Sequence, residues 1–560
     1  MTTPETTDHP PADQIAVSAF RQIFHWPLSL AKPERPRDTI NDIAAALGAK
    51  WEKVTARPDA YEEGVYFHDT VQQFLYPRES NERQTFARYD LKELCLTIGG
   101  KAHGFKVERL TLDLFAFGAA VVTLEIVANA PGTLAEVQTI IDHGRRAFPG
   151  FWSDDGMPGY CPSAARLMIN GTQMDMPAPP REQMRKHWCD RGVPQLFPWW
   201  QEIAAPLVFE GQPNSDARPE WRHVLDERIP VMSFISLTNP ALTDQAAYQQ
   251  ISKGDWFRIA GADQAGDDTM PYNANFLDAQ AERLFYDRFH LDGKTTYTTR
   301  QCFAGYHYAM VGSGSDFFDT HAQTHFSSHY RQMNFIAHLE FATLLTFSRR
   351  ISDLVRTKNG TGDEIAFRNA IHTLRTELLA FTHLYTFTDV SNHLQAREMN
   401  RMLRDAMGLE ALRADVQAEL AAASDFAQAA ETREATASQI RLTEFASLFL
   451  PASLATGFGG MNLLAGLDRD EGVTLVIAPA LAQFAVWVGL AYGVGALFLG
   501  LIDRKQRVFT WSWRISAGAL ALAALVWVWE TRHGTPFWPD WPALRSGLVQ
   551  NLDQTGGNGP

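Results

Sequence analysis

The sequence predicts an α/β cytoplasmic domain, followed by a long α-helical stem and an all-α membrane domain of two to three transmembrane helices. Three features of the text carry this expectation. β-Branched and aromatic residues alternate or cluster between Gly64 and Ala128, as strands require. No proline occurs between Pro271 and Pro451, and from Asp316 apolar residues recur at helical spacing. Beyond Arg441 come three apolar stretches, and the middle one, Val473–Ile502, has no charged side chain. About 20 residues suffice to cross a hydrocarbon core.

Taken in order, residues 1–19 are polar and Pro-containing, read as a disordered tail without the apolar core of a signal peptide. Residues 20–315 form the expected α/β domain with a mixed sheet. Phe20–Trp51 mixes Pro-rich turns with a short helix near Thr39–Leu47, where Asp38 is a fair N-cap. Gly64–Pro77, Phe86–Ile98 and Phe105–Ala128 read as β, the last as two strands turning near Gly118. Thr133–Arg146 reads as a helix, and further strands are expected at Val231–Leu237 and Gly305–Val311. Residues 316–440 read as a helical bundle and stem. One helix is expected over Asp316–Thr357, a second over Asp363–Met407 after the KNGTG break, and a third from Leu409 onward. If unbroken to Gly457, the third would extend roughly 70 Å.

The membrane portion divides into a first span at 441–459, a loop at 460–473, a second span at 474–503 and a third apolar segment at 508–530 ahead of the tail 531–560. Trp511 and Trp513 at one end of the third segment and Trp527 and Trp529 at the other resemble interfacial belts. Arg504, Lys505 and Arg507 follow the second span and place that end inside by the excess of positive charge. The expected location is a bacterial inner (plasma) membrane, multi-pass in the lipid bilayer, with the large N-terminal domain in the cytoplasm.

The formal net charge of −14 argues against a nucleic-acid partner, since phosphate binding needs clustered Lys and Arg. Cys95, Cys161, Cys189 and Cys302 show no paired spacing, which excludes a zinc ribbon and suits a reducing compartment. No hydrolase elbow, HExxH or kinase set is present, so no enzyme is expected.

Stepping along the first span by three and four residues puts Gly457, Ser453, Leu450, Ala446, Leu442 and Gln439 on one helix face. A stripe of small, polar and aliphatic residues serves either a pore or close helix packing. The text LFLPASLATGFGGMN at 448–462 resembles the end of the pore helix in the CorA-type divalent-metal channels. Pro451, Gly457, Gly460, Met461 and Asn462 stand at the family's spacing. The chain departs from the family at Gly459 and Leu463, and in a loop that lacks Met-Pro-Glu-Leu. The resemblance implies divalent cations, Mg²⁺ foremost, as the transported and regulatory ion. It makes Gly460, Met461 and Asn462 the selectivity filter, with the Asn462 amide oxygen holding a hydrated cation. It also implies a homo-oligomeric funnel, a pentamer, gated by the cytoplasmic domain. Asp468, Asp470 and Glu471 in the outer loop would concentrate cations at the mouth. FTDVSNHLQAREMN at 387–400 resembles text of the larger CorA-like bacterial proteins. Some of these look like membrane effectors of type III CRISPR systems, which implies the alternative of gating by a nucleotide second messenger.

Two further clusters stand in the text. His321, His325 and His329 lie at i, i+4 and i+8, where imidazoles can ligate a metal or merely line a packed helix face. Gly312-Ser313-Gly314-Ser315-Asp316 between a strand and a helix is either an anion-binding turn or a plain turn capped by Asp316.

Overall fold

The computed structural model describes residues 10–31, 36–77, 83–214, 218–238, 251–266, 270–289, 299–313, 317–361, 363–463, 485–486, 488–493 and 507–533. The chain divides into two compact units, Met1–Ala427 and Gln428–Pro560.

In the first unit, fourteen strands among the described residues join one mixed sheet. Its main path runs through Phe285–Phe289, Thr299–Ala304, His307–Ser313, Val231–Leu237, Val17–Leu30, Ala119–Ala128, Lys101–Phe115, Leu91–Ile98, Ala164–Ile169 and Thr172–Pro177. Neighbours on this path are antiparallel except Val231–Leu237 beside His307–Ser313. Such a parallel pair needs a long crossover, and the helices Lys253–Gly261 and Ala274–Leu284 lie within it. The hairpin Lys101–Phe115/Ala119–Ala128 turns where the text predicts, at Gly118 with φ +90°.

Both faces of the sheet are covered, so its central strands read as nearly continuous apolar runs. On Ala119–Ala128, Ala120, Val122, Leu124 and Ile126 enter one core while Val121 enters the other. The first core lies under the helices Leu134–Gly144, Pro198–Ala204 and Lys253–Gly261, through Val137, Ile140, Trp200, Ile203 and Ile259. Thr133 and Ser252 cap two of these helices by accepting from Glu136 N and Asp255 N. The second core gathers Phe318, Phe326, Phe335, Leu339, Ile371, Leu378, Met399 and Leu403 from the helical half of the unit.

Phe20–Leu30, expected as Pro-rich turns, is the heart of the sheet instead. Val17–Leu30 pairs with Val231–Leu237 through Phe24 and with Glu220–His223 from Leu28. Pro27 falls in the gap between those two neighbours, where no N–H is needed for the ladder, so the strand continues through it.

The helical half opens with Phe317–Tyr330, which is widened to π geometry over Phe317–Ala322 and Phe326–Tyr330. Arg331–Thr361 and Glu364–Leu384 follow. The single helix expected up to Met407 is two, Glu364–Leu384 and Leu394–Met407. The Ser391 hydroxyl donates to the Tyr66 carbonyl at 2.6 Å in the intervening bend. After Gly408 one helix of 55 residues runs from Leu409 to Leu463. Leu409, Val416, Leu420, Ala423 and Ala427 are buried along one stripe of it. From Gln428 onward no side chain described on this helix is buried.

In the second unit, the helix Arg507–His533 meets residues 488–493. Ser516 Oγ donates to the Gly489 carbonyl at 2.6 Å, and Ala519 and Leu520 crowd the same glycine.

The described residues do not form the expected membrane domain. Among the described residues no helix is long and apolar enough to cross a membrane. The stretch Phe445–Leu463 is diluted by Ser447, Ser453, Thr456, three glycines and Asn462. In Arg507–His533, Arg514 at one end and Glu530 and Arg532 at the other confine the apolar run, short of the roughly 20 residues a span needs. The 474–503 segment lies largely outside the described residues. Among the described residues the expected transmembrane helices, and with them the multi-pass location in a bacterial inner membrane, are therefore not supported.

Candidate functional site

The first unit holds the root of the long helix by a buried ionic joint. Glu340, on the apolar stretch FIAHLEFATLL of Arg331–Thr361, is fully buried. Its Oε2 accepts from Arg404 Nη1 at 2.7 Å and its Oε1 from Arg404 Nη2 at 3.2 Å. Arg413, one turn into the long helix, donates to the same Oε1 from Nε at 3.2 Å and also from Nη2. Glu410 completes the set by accepting from Arg404 at 2.7 Å and Arg413 at 3.2 Å. Burial alone would lower the Arg404 guanidinium, but Glu340 and Glu410 overcome it and raise it. The Arg404 hydrogen bond in turn holds Glu410 below the usual carboxylate range. Gly408, at φ +65°, caps Leu394–Met407 and lets the chain turn directly into the next helix.

A second ionic layer lies between the sheet and Arg331–Thr361. Glu125 accepts from Arg21 at 2.5 Å and from Arg109 at 3.3 Å, and Arg109 reaches Asp59 at 2.5 Å. Arg331 stands 3.4 Å from Glu63, which also accepts from Tyr76 at 2.8 Å and Gln332 at 2.9 Å. Burial would raise Glu125, yet the three arginines hold it below the usual range. Charges balance in this layer, three arginines against three carboxylates, so it fixes the helix on the sheet.

The predicted histidine row is placed with two members exposed and one buried. His321 and His325 face solvent, whereas His329 packs edge-on against Tyr66 at 4.2 Å between ring centroids. Both ring nitrogens of His329 are engaged, Nδ1 with the Ser328 hydroxyl at 3.0 Å and Nε2 with the Glu62 carbonyl at 3.3 Å. Burial, followed by the neighbouring His325, pushes His329 down to about 4. Neither ring nitrogen is left open to a metal. Among the described residues no group of three His, Cys, Asp or Glu could hold one.

Gly312 serves packing, because a side chain there would run into the Phe318 ring. Gly314, Ser315 and Asp316 lie outside the described residues.

Of the predicted pore stripe, Gln439, Leu442, Ala446 and Ser453 are exposed on the long helix, and Leu450 and Gly457 lie within its span. Gly460, Met461 and Asn462 belong to the same helix, close to its end at Leu463, rather than opening a loop. Hydroxyls along it fold back on the helix itself. Thr443 Oγ1 donates to the Gln439 carbonyl at 2.8 Å and Ser453 Oγ to the Phe449 carbonyl at 2.7 Å. Asp468, Asp470 and Glu471 lie outside the described residues.

The joint was missed in the sequence, although it left a signal. A lone glutamate within an apolar helix face demands a buried cation, and Arg404-x₃-Gly408-x₄-Arg413 offers two beside a C-cap glycine.

No protein-family model matches the chain, and no curated protein does. Among solved structures it is similar to one described as the full-length CmaX protein. Identity is 14% and the TM-score 0.12, over 48% of this chain and 91% of that one. A likeness of that size carries no argument about fold or function.

Proposed function

We propose that the chain is a CorA-like conductor of divalent cations, Mg²⁺ foremost, controlled by its sheet-bearing unit. Copies of the chain, a pentamer by the family resemblance, surround the conduction path with their long helices. The observation that carries this reading is the continuity of one helix, Leu409–Leu463, from the joint on Glu340 to Gly460-Met461-Asn462. In this reading a change at Arg413 reaches Asn462 along that one helix. The cation is the cargo. The Asn462 amide would meet it through its hydration shell, as the resemblance implies, and Ser453 and Gln439 would line its path. No enzymatic step is involved.

Measuring Mg²⁺ entry into cells that express the chain tests this. Entry should be lost in Asn462→Ala while the oligomeric mass of the purified protein is unchanged. Undiminished entry with Asn462→Ala, or none with the intact chain, would overturn the reading.

A further inference from the structure

Two imidazoles meet between the sheet and the helix Arg331–Thr361. His25 stands on the central strand Val17–Leu30 and His338 on the helix, with ring centroids 5.5 Å apart and planes 26° from parallel. They are 0% and 1% exposed. His25 Nδ1 is 3.2 Å from the Thr123 hydroxyl on the neighbouring strand, and His338 Nδ1 donates to the Asn334 carbonyl at 2.7 Å. A carbonyl only accepts, so the His338 proton sits on Nδ1. Both Nε2 atoms are buried without a hydrogen bond, as is Asn334 Oδ1 one turn earlier on the helix.

The surroundings hold the pair neutral. His25 is faced by His338, by Phe335 at 6.4 Å between centroids, by the Thr123 hydroxyl and by the Arg331 guanidinium, which repels a charge there. Val231–Leu237 turns only Met232 and Phe234 to the same core. The Asn334 and Tyr306 carbonyls are the groups that favour charge on His338. The nearest ionic groups are committed to one another, Glu125, Glu63 and Asp59 to Arg21, Arg109 and Arg331, and Asp113 to Arg83. Among the described residues neither ring has a carboxylate partner. Burial therefore takes His338 down to about 4 and His25 well below its ordinary value.

The strand does not depend on the helix for its place. Val17–Leu30 is laddered on both sides, to Val231–Leu237 and to Ala119–Ala128, and its other face is packed in the first core. Lifting the helix would return three stranded polar atoms, the two Nε2 and Asn334 Oδ1, to water. His338 and Glu340 are two residues apart, about 200° around the helix. One turn thus grips the sheet by one side and Arg404 and Arg413 by the other.

We propose that Arg331–Thr361 is an acid-released helix: as His25 and His338 take up protons, it parts from the sheet while the strands stay paired, and the Glu340 joint moves with it. An imidazole that protonates freely only in the open state favours opening by up to about tenfold per pH unit. The pair together gives up to about a hundredfold. The closed state is fully favoured above about pH 6.5 and loses ground as pH falls from there toward 4. An effect on conduction rests on the proposed function; the release itself does not.

The experiment is amide hydrogen exchange of the purified full-length chain, read by mass spectrometry between pH 7 and 5 and corrected for the intrinsic pH dependence of exchange. Peptides from 331–361 should open progressively more on acidification, while those from 119–128 and 231–237 stay protected. His25→Gln and His338→Gln should each about halve the slope of log opening against pH, because opening then binds one proton fewer. A merely structural loss would raise opening at every pH and leave the slope alone. His307→Gln removes a buried imidazole beside Ile259, on the other face, and should leave the slope for 331–361 unchanged. Three outcomes overturn the proposal: helix and strand peptides opening together, no pH dependence beyond the intrinsic one, or a slope that both His25→Gln and His338→Gln leave intact. The intact chain decides the first two even where a variant folds poorly. Mg²⁺ entry measured separately keeps a failure here distinct from a failure of conduction.

Discussion

Glu340 and Arg404 form a bidentate pair at 2.7 and 3.2 Å with side chains 0% and 6% exposed, joining two helices 64 residues apart in sequence. Removing one partner of such a pair strands a buried charge, at about 3–5 kcal/mol. Glu340→Gln should therefore lower the stability of the chain by that order in urea titration. Replacing all three buried partners together, Glu340→Leu with Arg404→Met and Arg413→Met, should recover most of the loss. Equal destabilisation by the single and the combined replacement would mean that packing, rather than charge, holds the joint.

Gly408 isolates a conformational effect. A Cβ there meets nothing within 4 Å, yet φ is +65°. Gly408→Ala should cost about 1 kcal/mol, through the left-handed backbone alone. Gly408→Asn should cost less, since asparagine tolerates that region. The melting temperatures of the two variants give the comparison.

Stability should fall on acidification from pH 7 to 5. Burial holds His338 down to about 4, His307 to about 3 and His25 well below its ordinary value. In the unfolded chain these imidazoles take up protons as pH drops through about 6.5, whereas the folded chain leaves them neutral until much lower. Unfolding therefore binds protons in this window, and stability, complete above about pH 6.5, is lost below it. The slope is about 1.4 kcal/mol per pH unit for each imidazole. A melting temperature that stays level between pH 7 and 5 would contradict this.

Thiol chemistry should separate the cysteines. Cys189 is exposed, whereas Cys161 and Cys302 are buried, which pushes the Cys161 thiol up to about 12 and Cys302 higher still. Native protein treated with a maleimide at pH 7.5 should be labelled at Cys189 first. Cys161 and Cys302 should react only once denaturant opens the sheet, as peptide mass spectrometry would show.

What the text disclosed was local. The hairpin around Gly118 was legible because β-branched residues flank a glycine that must take positive φ. The long helix was legible because no proline interrupts it before Pro451. The partner of Val17–Leu30 was not, since Pro27 argues against a central strand until the gap between its two neighbours is known. Glu340 was hidden for a related reason, its partners lying on other helices. The apolar runs after Arg441 were read as spans, but the charges and hydroxyls that bracket them limit what the described helices can do. The histidine spacing was real, but burial and two hydrogen bonds spend His329 on structure.

The central strand has a consequence for synthesis. Ser18 Oγ reaches the Ser236 carbonyl, 218 residues later in the chain. On a ribosome adding about 5–20 residues per second, that partner follows on the order of ten to forty seconds after Ser18. Through that interval Phe20, Ile23 and Phe24 lack one edge of their sheet, so the nascent chain is exposed to aggregation there. Its yield in cells should depend on a holdase far more than its final stability does.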